Sequence, residues 1–246
     1  MWRFVAVGAV VATLCAPTIV NATARKSIEP YGGPKGNGQH TLLVVGDSLT
    51  QGAAVFGKLK QRLLRLGTWS NVIIDYKYGR RGPEGIAAMR TRLAKNPNIT
   101  AVIFALGTND LLSRRYRAYP TQLINQYQAE FAHIPTLWVD AQYSRTHPDW
   151  NVRARRYLRA IKKASTENTN IYHASWFRYF SRTSPWYQFD GLHLSPRGYR
   201  MRATFIVQQA RQFGPAVVDS STTTTTIPET STTAEETLTT SAAPLP

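Results

Sequence analysis

Five apolar runs alternate with five segments of helical periodicity between residues 41 and 213. The apolar runs, each of strand length, are residues 41–45, 71–78, 100–106, 136–140 and 170–176. The segments with helical periodicity are residues 52–66, 83–95, 120–133, 150–165 and 196–213. Strand–helix alternation of this kind is typical of a parallel sheet whose two faces are covered by helices. The sequence therefore predicts an α/β fold, a three-layer α/β/α sandwich around a five-stranded parallel sheet.

Polar residues follow three of the predicted strands at the point where each strand ends. Ser48 comes directly after the first run in TLLVVGDSLTQG, and Asn109 follows the third in LGTND. Asp190 and His193 come after the fifth, in FDGLHLSPRGY. Each residue type alone is common in turns and loops. Because the carboxyl ends of parallel strands meet at one edge of the sheet, we expect these side chains to form one site there.

These residue types suit nucleophilic catalysis of acyl transfer. A serine hydroxyl is a poor nucleophile until a base removes its proton, and that base needs an orienting partner. Asp190 and His193 are close enough in sequence for the carboxylate to orient the imidazole, so that His193 can act on Ser48. The developing oxyanion also needs hydrogen-bond donors. The Asn109 amide, the Ser48 N–H and a glycine of YGRRGPEG can supply them.

The combination resembles the SGNH, or GDSL, hydrolases. GDSLTQG matches the first sequence block of that family, GTND the third and DGLH the last, and the resemblance covers most of residues 41–213. It implies a flavodoxin-like sandwich and a serine esterase mechanism without a cofactor. Carried over by position, Ser48 is the nucleophile, His193 the base and Asp190 its orienter. Asn109 and the Ser48 N–H belong to the oxyanion hole.

The second block of the family is matched more loosely. The family has a glycine there that donates its N–H to the oxyanion; Gly82 aligns with it best by spacing, and Gly79 is the alternative. The stretches YGRRGPEGI and WYQFDGLHLSPRGY are also similar to the extracellular catalytic domains of bacterial cell-wall O-acetyltransferases. Some of those domains depart from the usual second block. The sequence therefore leaves open whether water or a sugar hydroxyl accepts the acyl group.

The two ends of the chain differ from its centre. Residues 1–24 read as a signal peptide, because a short apolar segment follows Arg3 and an A-x-A pattern ends at Ala24. Residues 25–40 are predicted to be a flexible leader, 41–214 the hydrolase domain and 215–246 a disordered Ser/Thr/Pro-rich tail. The only cysteine, Cys15, lies in the signal, which excludes a disulfide framework in the mature chain. The predicted location is extracellular or at a bacterial cell envelope.

The net charge of +16 indicates an anionic partner. The loops after the second and third predicted strands carry five arginines that can hold an anionic glycan or wall polymer near Ser48: Arg80, Arg81, Arg114, Arg115 and Arg117. Trp186 and Tyr187 are candidates for a wall that contacts a sugar or an acyl group. No nucleic-acid-binding motif is present, and the five scattered histidines do not have metal-ligand spacing. Membrane contact is predicted only through the signal peptide.

These observations predict a secreted serine esterase that removes small acyl groups, acetyl foremost, from a glycan or envelope polymer. An O-acyltransferase acting on wall polymer with the same triad is the first alternative. A lipase, a thioesterase or a non-catalytic basic wall-binding module are the others.

Overall fold

The structure, a computed structural model, describes residues 40–114 and 116–213. At its centre is a sheet of five parallel strands in the order β2-β1-β3-β4-β5. The strands are β1 (Thr41–Gly46), β2 (Asn71–Tyr76), β3 (Ile99–Ala105), β4 (Thr136–Val139) and β5 (Ile171–Ala174). The predicted signal peptide, the leader before residue 40, the tail from residue 214 and Arg115 lie outside the described residues.

Helices cover both faces of the sheet. On one face lie α1 (Ser48–Gly57), α2 (Leu59–Leu64), α7 (Trp176–Tyr179) and α8 (Pro196–Ala210). On the other lie α3 (Gly82–Lys95), α4 (Thr108–Ser113), α5 (Tyr119–Phe131) and α6 (Pro148–Glu167). β1 shows why both faces need cover: Leu42 and Val44 pack in the first core, Leu43 and Val45 in the second. The predicted α/β/α sandwich with a five-stranded parallel sheet is confirmed, and its strand order is that of flavodoxin-like folds.

The region after β1 differs from its prediction. The helix expected over residues 52–66 begins at Ser48 and is interrupted at Lys58, whose φ of 51° is left-handed, so two helices form. Gly52 and Gly57 allow α1 to lie against α8, since a Cβ would lie 2.2 Å from the Tyr199 ring at Gly52 and 2.3 Å from Ala203 at Gly57. The site serine therefore lies at the start of a helix.

Two short helices were not predicted. α4 has six residues and α7 has four, which is too short for hydrophobic periodicity to reveal. α4 matters for the site, because it carries Asn109 in its first turn.

No helix of the described residues combines the length and the apolar character that a bilayer span requires.

Candidate active site

Ser48 lies where β1 passes directly into α1. β1 ends at Gly46, and Asp47 caps the helix by accepting the N–H of Leu49 at 2.9 Å. Ser48 is the first helical residue, so its N–H is one of the donors that have no partner within the helix. The hydroxyl and the N–H of Ser48 thus share the positive end of a helix at the carboxyl edge of the sheet.

Ser48, His193 and Asp190 form a continuous hydrogen-bonded chain. Ser48 Oγ lies 2.9 Å from His193 Nε2, and His193 Nδ1 lies 2.5 Å from Asp190 Oδ2. Asp190 Oδ1 accepts the N–H groups of Leu192 and His193 at 3.0 and 2.9 Å. Burial alone would raise the pKa of Asp190, but these hydrogen bonds outweigh it and hold the pKa below its ordinary value. An ionised carboxylate therefore faces His193 Nδ1 and leaves Nε2 to accept the serine proton.

A neighbouring loop holds the loop that carries Asp190 and His193. The N–H of Ser144 donates to the carbonyl of Gly191 at 2.8 Å, and His147 Nε2 lies 3.0 Å from the carbonyl of Asp190. Gly191 has φ of +66°, and a Cβ there would lie 2.4 Å from the His147 ring. His147 in turn stacks on Trp150 with ring centroids 3.7 Å apart. These contacts join distant segments, so no local sequence pattern signals them.

Asn109 lies next to Ser48 through a shared partner. Its Nδ2 donates to Asp47 Oδ2 at 3.3 Å and to the carbonyl of Arg80 at 3.1 Å. Asp47 therefore holds both the start of α1 and the amide of Asn109. Both amide hydrogens point at protein acceptors, and the longer bond to Asp47 is the one for which a substrate oxygen can compete.

Gly82 is engaged elsewhere. Its N–H donates to both carboxylate oxygens of Asp110, at 3.0 and 2.9 Å. The prediction that this N–H serves the oxyanion is therefore not supported by the geometry. Packing explains the glycine instead, because a Cβ at this position would lie 2.5 Å from the Leu123 side chain. The alternative donor, Gly79, lies in an exposed turn with φ of +69°, and its role stays a prediction.

The sequence comparison agrees with this arrangement. The profile of the GDSL-like lipase/acylhydrolase family matches residues 44–201, which contain all the predicted site residues. The chain belongs to this family. The predicted enzyme class, a serine hydrolase acting on ester bonds, is confirmed. No curated protein matches the chain significantly.

Solved structures show that the GDSL-like acylhydrolase has a fold shared with several enzymes. A lipase/acylhydrolase from Enterococcus faecalis is 19% identical, with a TM-score of 0.57 over 72% of this chain and 98% of its own. The catalytic domain of the Streptococcus pneumoniae peptidoglycan O-acetyltransferase A is 14% identical, with a TM-score of 0.54 over 71% and 96%. A family 3 carbohydrate esterase from Clostridium thermocellum is 21% identical, with a TM-score of 0.52 over 69% and 94%.

Arg80 is a structural brace of the GDSL-like acylhydrolase. Its Nη2 lies 2.6 Å from Asp75 Oδ1, and its Nη1 donates to the carbonyls of Asp75 at 2.8 Å and Gly46 at 3.3 Å. Arg92 holds the other oxygen of Asp75 at 2.6 Å. Burial alone would raise the pKa of Asp75, but Arg92 and Arg80 hold it below its ordinary value. The prediction that Arg80 binds a polymer is therefore wrong, because the guanidinium is buried and paired.

Replacing Arg80 by methionine is expected to lower the free energy of unfolding by about 3 kcal/mol, because it leaves a carboxylate that is mostly buried with one partner fewer. Asp75 has a lowered pKa, so its pairing stabilises the fold above its unfolded pKa of about 3.9 and is lost at lower pH. The difference from the wild type should therefore narrow below about pH 4. Urea unfolding measures it, with the exposed Arg81→Met as the matched control. An equal effect of both variants contradicts the brace.

A buried polar layer lies behind the nucleophile. Asp47, Asp140 and Arg202 have side chains almost without solvent contact, and the Arg202 guanidinium lies 5.2 Å from the centre of the Trp176 ring. Burial raises the pKa of Asp47, and the positive charge of Arg202 opposes this shift. Asp140 accepts hydrogen bonds from Phe177 N–H, Ser175 Oγ and His173 Nε2. This layer fixes the charge beneath α1 and was not predicted.

The aromatic residues next to the site differ from those predicted. Trp186 packs against the core with Arg197 over its ring at 4.9 Å, and the Tyr187 hydroxyl donates to Gln142 Oε1 at 2.9 Å. Both residues are thus committed to internal contacts. Tyr78 instead stacks on His193, with ring centroids 5.7 Å apart and planes 7° from parallel.

Within the described ranges 40–114 and 116–213, no group of three or more His, Cys, Asp and Glu side chains is arranged to hold a metal ion.

Proposed function

We propose that the chain is an exported serine esterase that removes small acyl groups, acetyl foremost, from a glycan or cell-envelope polymer. Ser48 is the nucleophile, His193 the general base and Asp190 the residue that orients it. The Ser48 N–H and the Asn109 amide stabilise the oxyanion. The observation that carries this proposal is the hydrogen-bonded chain from Ser48 Oγ through His193 to Asp190.

The acylation step follows from that chain. His193 Nε2 takes the proton of Ser48 Oγ as the oxygen forms a bond to the ester carbonyl carbon. The carbonyl electron pair moves onto oxygen, where the Ser48 N–H and Asn109 donate hydrogen bonds to it. When the intermediate collapses, the bond to the alcohol breaks and His193 Nε2 gives its proton to the departing oxygen. An acyl group remains on Ser48.

Deacylation repeats the sequence with water. His193 removes a proton from water as its oxygen attacks the acyl carbon, then returns a proton to Ser48 Oγ as the acid leaves. A sugar hydroxyl in place of water turns the same steps into acyl transfer. The O-acyltransferase is therefore the second candidate, and the fold likeness to a peptidoglycan O-acetyltransferase keeps it open.

Two observations support a carbohydrate ester as substrate. One solved structure of the same fold is a carbohydrate esterase, and another is an enzyme of peptidoglycan acetylation. The signal-like residues 1–24 direct the chain to the compartment where envelope glycans are found. Export itself is tested by sequencing the N-terminus of protein recovered outside the cell, which we expect to begin after Ala24.

The preference for short acyl groups is tested with p-nitrophenyl acetate, butyrate and octanoate. We expect kcat/KM for acetate to exceed that for octanoate by about tenfold or more, the factor that corresponds to about 1.4 kcal/mol. A preference for octanoate contradicts the proposal and favours a lipase. Adding an oligosaccharide acceptor separates the second candidate, because a transferase then forms acetylated sugar in preference to free acetate.

We also propose that an anionic wall polymer binds to a cationic cleft between α5 and α6. The cleft has a volume of about 530 Å³ and is lined by Arg117, Thr121, Arg156, Arg159, Ala160 and Lys163. Among the described residues, Lys163 has an acidic partner, Glu167 at 2.8 Å, whereas the three arginines have none within 4 Å. Like charges without counter-charges repel one another, and a polyanion relieves that repulsion. Of the five arginines predicted for this role, Arg117 lines the cleft.

Replacing Arg156 and Arg159 together by glutamine is expected to weaken binding to acidic wall fractions about fivefold or more at low salt, with less effect at high salt. Lys162→Gln, an exposed lysine of the same helix outside this cleft, is the matched control. Co-sedimentation with the wall fraction measures binding. Equal loss in the control indicates general charge attraction and contradicts a specific cleft.

A further inference from the structure

Tyr78 is an exposed aromatic residue held against the proposed catalytic base. It lies in the turn after β2, its ring is nearly parallel to the His193 imidazole, and 71% of the residue is exposed. A side chain this exposed buries little apolar surface, so folding gains little from it. Phe189, the residue before Asp190, is fully exposed. Two apolar side chains thus lie uncovered beside the triad.

The stacking partner shows which part of the substrate Tyr78 meets. In the proposed mechanism His193 Nε2 gives its proton to the oxygen of the departing alcohol, so that oxygen must come within hydrogen-bonding distance of Nε2. The carbonyl oxygen lies on the other side, toward the Ser48 N–H and Asn109. Because Tyr78 flanks His193, the alcohol half of the ester lies beside Tyr78.

The surroundings of the two rings indicate the chemistry of that alcohol. Tyr78 is followed and preceded by polar or cationic exposed residues, Lys77 and Arg81 among them, and Phe189 stands between Gln188 and Asp190. A long aliphatic chain needs a continuous apolar surface. A sugar ring needs a flat aromatic face for its C–H groups and nearby polar groups for its hydroxyls.

We propose that Tyr78, together with Phe189, forms a subsite that binds the sugar ring carrying the ester. The proposal rests on the proposed function and names the leaving group of the reaction. It assigns Tyr78 to substrate specificity rather than to acid–base chemistry. The cationic cleft between α5 and α6 is a separate surface for polymer binding.

The experiment compares an acetylated methyl glucoside with ethyl acetate, whose leaving group is too small to reach the ring. Tyr78→Ala is expected to raise KM for the acetylated sugar about tenfold, which corresponds to about 1.4 kcal/mol of lost stacking, and to leave kcat/KM for ethyl acetate within about threefold. Tyr78→Phe retains the ring and should remain within about threefold on both substrates. Phe189→Ala should raise KM for the sugar ester in the same direction. Tyr116→Ala removes another exposed tyrosine and serves as the matched control.

Two kinetic results overturn the proposal. Equal losses on both esters in Tyr78→Ala mean that Tyr78 positions His193 and does not bind the sugar. A larger loss on p-nitrophenyl octanoate than on the sugar ester means that the ring binds an acyl chain. Calorimetric titration of Ser48→Ala with the acetylated sugar adds a test that needs no turnover. In that background Tyr78→Ala should weaken binding about tenfold, and unchanged binding contradicts the subsite even if no ester is hydrolysed.

Discussion

Replacement of Ser48 by alanine is expected to lower kcat/KM for p-nitrophenyl acetate by about 10⁴-fold or more. The substitution removes the oxygen that attacks the ester and leaves the contacts between His193 and Asp190 in place. Ser48 makes no side-chain contact other than the one with His193 among the described residues, so the loss must come from chemistry. Initial rates on the purified variant measure the effect.

Thermal unfolding of the same protein provides the control for Ser48→Ala. The helix begins with the cap from Asp47 to Leu49, which the substitution does not touch. We therefore expect the unfolding temperature to stay within a few degrees of the wild type. A variant that is folded and still hydrolyses the ester at more than about one-tenth of the wild-type rate contradicts the assignment of Ser48.

Replacement of His193 by alanine is expected to cause a loss of similar size, about 10⁴-fold in kcat/KM. Ser48 then keeps its hydroxyl but has no group to take its proton, and the leaving alcohol has no proton donor. Because the two residues act as one unit, the double variant should be little worse than either single variant. Ester hydrolysis by all three variants measures this.

His133→Ala is the matched control for the histidine substitution. His133 is exposed at the end of α5 and takes no part in the triad contacts. Its replacement should leave kcat/KM within about twofold of the wild type. If the losses of Ser48→Ala and His193→Ala multiply in the double variant, the two residues act independently and the proposed proton transfer is contradicted.

The strands and the triad could be predicted from the sequence because their signals are local. Each strand is a short apolar run, and Ser48, Asn109, Asp190 and His193 follow strands that a parallel sheet brings to one edge. Asp190 and His193 are also near enough in sequence to meet within one loop. The start of α1 was missed because Asp47 was read as a turn former, whereas its side chain caps a helix that begins one residue later.

The residues around the triad could not be predicted because their roles depend on distant partners. A loop glycine such as Gly82 can be required by a ligand or by packing, and the structure shows that Leu123 decides it. A loop arginine such as Arg80 is equally ambiguous until Asp75 and the carbonyl of Gly46 are seen to hold it. The stack of Tyr78 on His193 joins residues of two separate loops, and no periodicity connects them.

Covalent labelling with a fluorophosphonate tests the central claim most directly. The reagent phosphonylates a serine whose proton is removed by a neighbouring base, so the account predicts one adduct per chain, mapped by mass spectrometry to the peptide that contains Ser48. The same experiment should give no adduct with Ser48→Ala and much slower labelling with His193→Ala. An adduct on another serine, or equal labelling of the wild type and His193→Ala, would contradict the account, because Ser48 would then not be the nucleophile activated by His193.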